Sequence, residues 1–278
     1  MLHYLEMAPL IKKLIVIGLS LIVLTPLIVT SSLFMPFVTG KSFAFRILIE
    51  LLAGGWLILI LIDRRYRPRP TNLLIGLVIF VISITVSNLL GLDPTRSFAG
   101  NFSRMEGWNT LIHLLLFFLI ASSILKTKAE WLRLFAVEIS GSAVICLVAL
   151  GQLFGLIPIY RDITEGRLDG TFGNAGFLAS YLLLNFFLTL FLMIQSKRKS
   201  ISWSYGVLAI IQVMIIYFSA TRSALIGLIF GGAMTTVLLS FLAQSQRTRK
   251  LARRCLIITA LVLIVTVNLV RYSEWAKR

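Results

Sequence analysis

Cysteine and histidine are almost missing from this 278-residue chain, which has two of each. Cys146 and Cys255 both fall in apolar runs, so no disulfide framework is implied. His3 and His113 stand far apart, and no Cys or His cluster has metal-ligand spacing. No metal or cofactor is therefore expected, and His113 reads as a helix-packing residue. Internal repeats, Pro/Ser-rich linkers and any polar stretch long enough for a soluble domain are also lacking. Charged residues make up only 14% of the chain, against 58% hydrophobic. The net charge of +16 does not point to nucleic acid, because the basic clusters lack interleaved aromatics and any binding fold.

What is present in excess is apolar sequence. Runs of about 20 residues, each long enough to cross a bilayer as a helix, recur at roughly 14–33, 45–62, 72–92, 108–125, 134–157, 177–195, 203–219, 223–243 and 255–271. The expected fold is all-α: a polytopic transmembrane helical bundle of about nine spans, forming a single transmembrane domain over 1–278. The first run lacks a clear cleavage site and reads as a retained span. Lysine and arginine concentrate in alternate connections: Lys12 and Lys13, Arg64 to Arg69, Lys126 to Arg133, Lys197 to Lys199, and Arg247 to Arg254. By the positive-inside rule these face the cytoplasm. The N-terminus is then inside and the C-terminus outside, with the inner clusters also able to touch anionic lipid.

The outer connections carry the specific signal. They run from Asp93 to Gly107, from Ile159 to Gly176, and through the tight hairpin Ser219-Ala-Thr-Arg-Ser223. They bring Arg96, Arg104, Arg161, Arg167 and Arg222 to a face where the topology rule disfavours arginine. Arg222 opens the eighth run, and the glycine-rich segment Gly170 to Gly176 leads into the sixth. Helix N-termini expose unpaired N–H groups and a positive dipole end, so both are natural anion sites. Asn174, Thr221 and Ser219 can serve as caps. Gly170, Gly173 and Gly176 would allow close backbone approach to a phosphate, which arginine grips with two parallel hydrogen bonds. At that depth the simplest anion is the headgroup phosphate of a lipid carrier. The plain alternative is a solvated ion pair for each arginine, with Asp93, Glu106, Asp162, Glu165 or Asp169 as partner.

Other polar residues have structural readings. Glu50 follows Arg46 by one turn, at pairing distance, although an intramembrane carboxylate can also mark function. Asn88, Gln152, Asn185 and Gln212 are expected to bond between helices, and Gly227-x-x-x-Gly231 to pack helices closely.

Arg167-Leu-x-Gly-Thr-Phe-Gly-Asn174, followed by an apolar Leu-Ala-x-Tyr helix, resembles the O-antigen ligase and polymerase superfamily. Ser219-Ala-Thr-Arg-Ser-Ala224 is similar to that family's arginine turn, and Ser97-Phe-x-Gly-Asn-Phe-x-Arg-Met-Glu-Gly107 to one of its outer loops. The resemblance implies a membrane glycosyltransferase in the bacterial cytoplasmic (inner) membrane, working at its outer face. Its donor would be a polyprenyl-pyrophosphate-linked glycan, its acceptor a lipid, glycan or protein, and its product a cell-surface polysaccharide or glycoconjugate. Arg167 and Arg222 would match the arginines that hold the pyrophosphate, with Gly170, Gly173, Asn174 and Arg104 in the same substrate site. Catalysis would be largely electrostatic, without nucleotide or metal. Here Asn174-Ala-Gly replaces the commoner Asn-Pro-Asn. Family members continue past the ninth span into a large outer loop bearing a histidine proposed to activate the acceptor. Neither His3 nor His113 can match it, so the chain corresponds to the N-terminal portion of the family pattern and no catalytic residue is assigned within it. The alternatives are a transporter or flippase for a lipid-linked substrate, or a non-catalytic partner or remnant. Transporters usually place their polar breaks near the midplane rather than at one face.

The charge alternation makes a direct prediction. With Cys146 and Cys255 replaced, an impermeant thiol reagent applied to intact cells should label cysteine at Ser103 or Thr164 and spare cysteine at Arg67 or Arg249. Labelling of the second pair would reverse the topology.

Overall fold

A computed structural model describes residues 2–33, 35–101, 106–157, 167–242, 246 and 249–250. The described residues are helical, without strands: α1 (Leu2–Val23), α2 (Thr39–Ile62), α3 (Asn72–Leu89), the short α4 (Pro94–Ala99), α5 (Trp108–Ile124), α6 (Lys128–Leu153), α7 (Ala175–Gln195), α8 (Lys199–Phe218) and α9 (Arg222–Leu242). By length and composition α2, α3, α6, α7, α8 and α9 can each cross a membrane, and the apolar α5 is shorter. This is the build of an integral membrane protein. The ninth expected run, 255–271, lies outside the described residues. The chain forms two compact units, Met1–Ala220 with α1 to α8 and Thr221–Arg278 with α9.

The first expected span is corrected in its limits. Apolar character continues to about residue 33, but α1 begins at Leu2 and ends at Val23. Pro26 has no N–H to donate and biases Thr25 away from helix. Thr25–Leu27 form a 3₁₀ turn instead, with the Thr25 hydroxyl donating to the Ile22 carbonyl at 2.8 Å. The chain then folds back on itself, and Thr30 bonds Pro36 through both its amide and its hydroxyl. Hydropathy could not separate this re-folded stretch from helix.

Two packing centres organise the first unit. One joins α1, α2, α5 and the start of α6 around fully buried Ile15, Leu19, Ile49, Leu59, Ile120 and Ile124. Gly18 brings α1 close to α2: a Cβ there would lie 2.4 Å from Leu52 Cδ2. Small residues at helix crossings are how membrane helices gain contact area when the surrounding lipid is as apolar as the helices. The other centre joins α6, α7 and α8 through polar contacts. Gln212 of α8 donates to Ser142 of α6 at 3.0 Å, and Asn185 of α7 donates to Glu138 of α6 at 3.2 Å. The helices also carry large exposed apolar side chains, such as Leu61, Leu184 and Ile210, as a lipid-facing surface requires.

α6 has 26 residues, about 39 Å at 1.5 Å per residue, and its two ends differ in chemistry. At the first, Thr127 and Glu130 form a reciprocal capping box. Glu130 also takes the Lys12 ammonium of α1 at 2.6 Å. Burial, followed by the nearby charges of Arg69 and Lys12, holds the Lys126 ammonium below the ordinary lysine range, with Glu130 pulling the other way. Basic residues that sequence assigned to one membrane face therefore gather at one end of the unit. At the other end α6 stops through Gly155, whose φ of 72° is open to glycine, just beyond Gln152.

The Gly18 crossing is testable. Gly18→Leu should lower thermal stability in detergent by about 2 kcal/mol through overpacking against Leu52. Gly54→Leu, at a helical glycine with open space around its Cα, should leave the unfolding midpoint nearly unchanged.

Candidate functional site

The segment Arg167 to Asn174 occupies the far end of α6 and is tied to four other parts of the first unit. Gln152 is the central tie. Its side-chain amide donates to Asp169 Oδ1 at 2.6 Å and, at 3.4 Å, to the Gly170 carbonyl, while its Oε1 accepts the Gly170 N–H at 2.8 Å. Asp169 is fully buried and Gln152 nearly so. A buried carboxylate is tolerable only when hydrogen-bonded or paired, and the glutamine supplies a hydrogen bond to one of its oxygens from within an apolar helix.

The other ties spread outward. The Thr171 hydroxyl donates to the Pro26 carbonyl at 2.8 Å, joining the loop to the 3₁₀ turn after α1. Lys41, in the first turn of α2, donates to the Thr171 carbonyl at 2.5 Å and lies 4.3 Å from the centre of the Phe172 ring. That is cation–π range. Phe172 in turn packs on Tyr181 of α7, with ring centres 5.1 Å apart. Arg167 Nε donates to the Ser219 carbonyl at 3.1 Å, at the C-terminal end of α8.

The glycines follow from this packing. Gly170 and Gly173 have φ of 56° and 62°, a region open mainly to glycine. A Cβ on Gly173 would lie 2.2 Å from the Phe37 ring, and one on Gly170 would lie 3.0 Å from Leu178. Asn174 is the N-cap of α7, as expected, accepting from the Gly176 and Phe177 amides at 2.8 and 3.2 Å. The Gly170 and Gly176 amides are thus engaged within the protein. The glycines shape the loop and admit neighbouring side chains, while the cations Arg167 and Lys41 carry its positive charge.

The remaining sequence-derived residues sort as follows. Arg222 belongs to the second unit, where it opens α9 at the helix N-terminus. Arg104 and Arg161 lie outside the described residues, as do Asp162 and Glu165. Ser219 is the C-cap of α8, its hydroxyl donating back to Ile216 at 2.7 Å, and not an N-cap. Its place follows from α8 running on to Phe218 before the turn. Asp93 caps α4 by accepting from the Arg96 amide. His113 is buried, its Nδ1 donating to the Asn109 carbonyl at 2.7 Å and its Nε2 standing 3.1 Å from Glu50. That is the packing role expected of it. Of the expected interhelical amides, Asn185 and Gln212 bond between helices, and Gln152 bonds to the loop instead. Asn88 lines a cavity of about 230 Å³ with Thr85, Pro94, Phe98 and Trp108.

Two residues escaped sequence reading. Lys41 stands just before an apolar run, with no local pattern to mark it, and only the fold carries it to the Arg167 loop. Glu138 sits inside α6, and a carboxylate in an apolar run could have been flagged by the rule that intramembrane charges need partners. Among the described residues no group of three or more His, Cys, Asp or Glu could hold a metal ion.

Gln152→Leu should release this loop. Removing the amide strips a donor from a buried carboxylate and an acceptor from the Gly170 amide, at a cost of about 3 kcal/mol. Hydrogen exchange across residues 168–174 should accelerate in the variant while exchange in α1 and α2 stays near that of the parent. Uniform acceleration would show that the loop is not a local unit.

Comparison with protein-family models, with characterised proteins and with solved structures found no match to this chain.

Proposed function

We propose that this chain belongs to the O-antigen ligase type of membrane glycosyltransferase, and that it binds the pyrophosphate of a polyprenyl-linked glycan donor at the outer face of the bacterial cytoplasmic membrane. The hydrogen bond from Arg167 to Ser219 carries this reading. It ties the Arg167–Asn174 loop to Ser219, the residue at which the second stretch of the resemblance begins.

In this scheme Arg167 grips the donor pyrophosphate, and the resemblance implies the same donor-binding role for Arg222 and Arg104. Gly170, Gly173 and Asn174 act by holding the loop, since two of the amides that could have met a phosphate already have protein partners. Lys41 adds a cation beside the loop. The chemistry is a displacement at the anomeric carbon. An acceptor hydroxyl forms the new glycosidic bond, the sugar–phosphate bond breaks, and the leaving pyrophosphate takes the electron pair. Preorganised guanidinium groups lower the barrier by stabilising the charge that builds on that leaving group. The acceptor's proton leaves to a base, a role that the family gives to an outer-loop histidine and that is assigned to no residue of this chain.

The test is glycan transfer from a polyprenyl-linked donor in membranes, with protein level controlled by blotting. Arg167→Lys and Arg222→Lys should each cut transfer by about ten- to a hundredfold, because lysine keeps the charge but loses the two-pronged bond. Alanine at either position should do at least as much damage. Arg67→Ala should leave activity near that of the parent. Full activity in both arginine-to-alanine variants would remove these residues from the donor site.

A further inference from the structure

At the basic end of the first unit, α1 and α6 border a cavity of about 250 Å³. Lys12 and Lys13 of α1 and Glu130 and Arg133 of α6 are among its lining residues. Lys12 is taken up by Glu130 at 2.6 Å. Lys13 and Arg133 are exposed, and neither forms an ion pair with any of the described residues. Two exposed cations from two helices therefore border one cavity. Leu19 on α1 and Val137 on α6 line the same cavity. They lie one to two helical turns farther along, away from the charges.

This gradient selects a ligand class. A free phosphate would meet the cations but gain nothing from the apolar walls. A hydrocarbon chain alone would leave the cations unanswered. A zwitterionic phospholipid brings its own ammonium into a site already rich in positive charge. A phospholipid with a net negative headgroup satisfies both parts, with its phosphodiester beside the cations and the upper part of an acyl chain between the helices. Lys126 and Arg69 add to the positive potential at this end. We infer that the cleft between α1 and α6 is a binding site for an anionic phospholipid, with the headgroup held by Lys13 and Arg133 and an acyl chain lying against Leu19 and Val137. The site is remote from the Arg167 loop, at the opposite end of α6, and does not depend on the transfer reaction proposed above.

Native mass spectrometry of the detergent-purified full chain, titrated with phosphatidylglycerol or phosphatidylcholine, measures it directly. The parent should bind phosphatidylglycerol in preference to phosphatidylcholine. Lys13→Ala combined with Arg133→Ala should weaken phosphatidylglycerol binding by about thirtyfold and erase the preference. Lys13→Arg with Arg133→Lys should retain it, which separates lost charge from lost fold. Lys197→Ala with Arg198→Ala, which removes basic charge outside the cavity, should leave binding unchanged. Millimolar inorganic phosphate should not displace the lipid. Equal binding of the two lipids by the parent, an unaffected alanine pair, an equal loss in the Lys197/Arg198 control, or displacement by inorganic phosphate would each overturn the assignment.

Discussion

One glutamine side chain sets the terms for the polar end of this protein. Gln152 donates to one oxygen of the buried Asp169 and accepts from Gly170, so a single amide serves both a carboxylate oxygen and a backbone group that cannot reach water. In apolar surroundings each such group left unsatisfied is expensive. The loop therefore has little freedom once Gln152 is placed at the end of α6. Asp169 is held inward, Gly170 turns through positive φ, and Thr171 and Phe172 are delivered to Pro26 and Lys41. Arg167 leaves in the other direction, toward the end of α8.

The same constraint explains how polar chemistry is spread through the first unit. The Lys12–Glu130 ion pair sits at the end of α1–α6 packing, where both side chains keep partial exposure. Between the packing helices α6, α7 and α8 the contacts use amides and hydroxyls, as in Gln212 to Ser142. Charges enter at Glu138, to which Asn185 supplies a donor, and at the helix ends, where Lys128 donates to Gln195. Neutral groups cost less to desolvate than charges, and each still pins one helix to another. The apolar centre around Ile15, Leu19 and Ile49 uses close approach at Gly18 for the same purpose.

A division of labour follows. One end of α6 presents basic side chains beside an apolar cleft, as suits an anionic membrane surface. The other end presents a loop held by hydrogen bonds to α6, to the turn after α1 and to α2. On the function proposed above, such a fixed loop would suit stabilisation of a developing charge, which works best when the donors need not reorganise. The glycines support the loop indirectly. Gly173 admits the Phe37 ring, and Gly170 admits Leu178, so the loop is packed from beneath.

The amino-acid order by itself determined the class of molecule and the places where function is sought. Apolar runs of membrane length, basic residues in alternate connections, the N-cap Asn174 and the packing role of His113 were all legible, because each depends on local spacing or on a single residue's chemistry. The described helices follow those runs, apart from the first, where Pro26 ends the helix before the hydropathy does. Tertiary structure decided what the polar residues touch. That Gln152 serves a loop and not another helix, that Lys41 crosses to Thr171 and Phe172, and that the Gly170 amide is consumed internally all involve partners distant along the chain. No periodicity encodes such pairings. They arise because the few polar groups in an apolar protein must find one another, and which of them meet depends on how the helices pack.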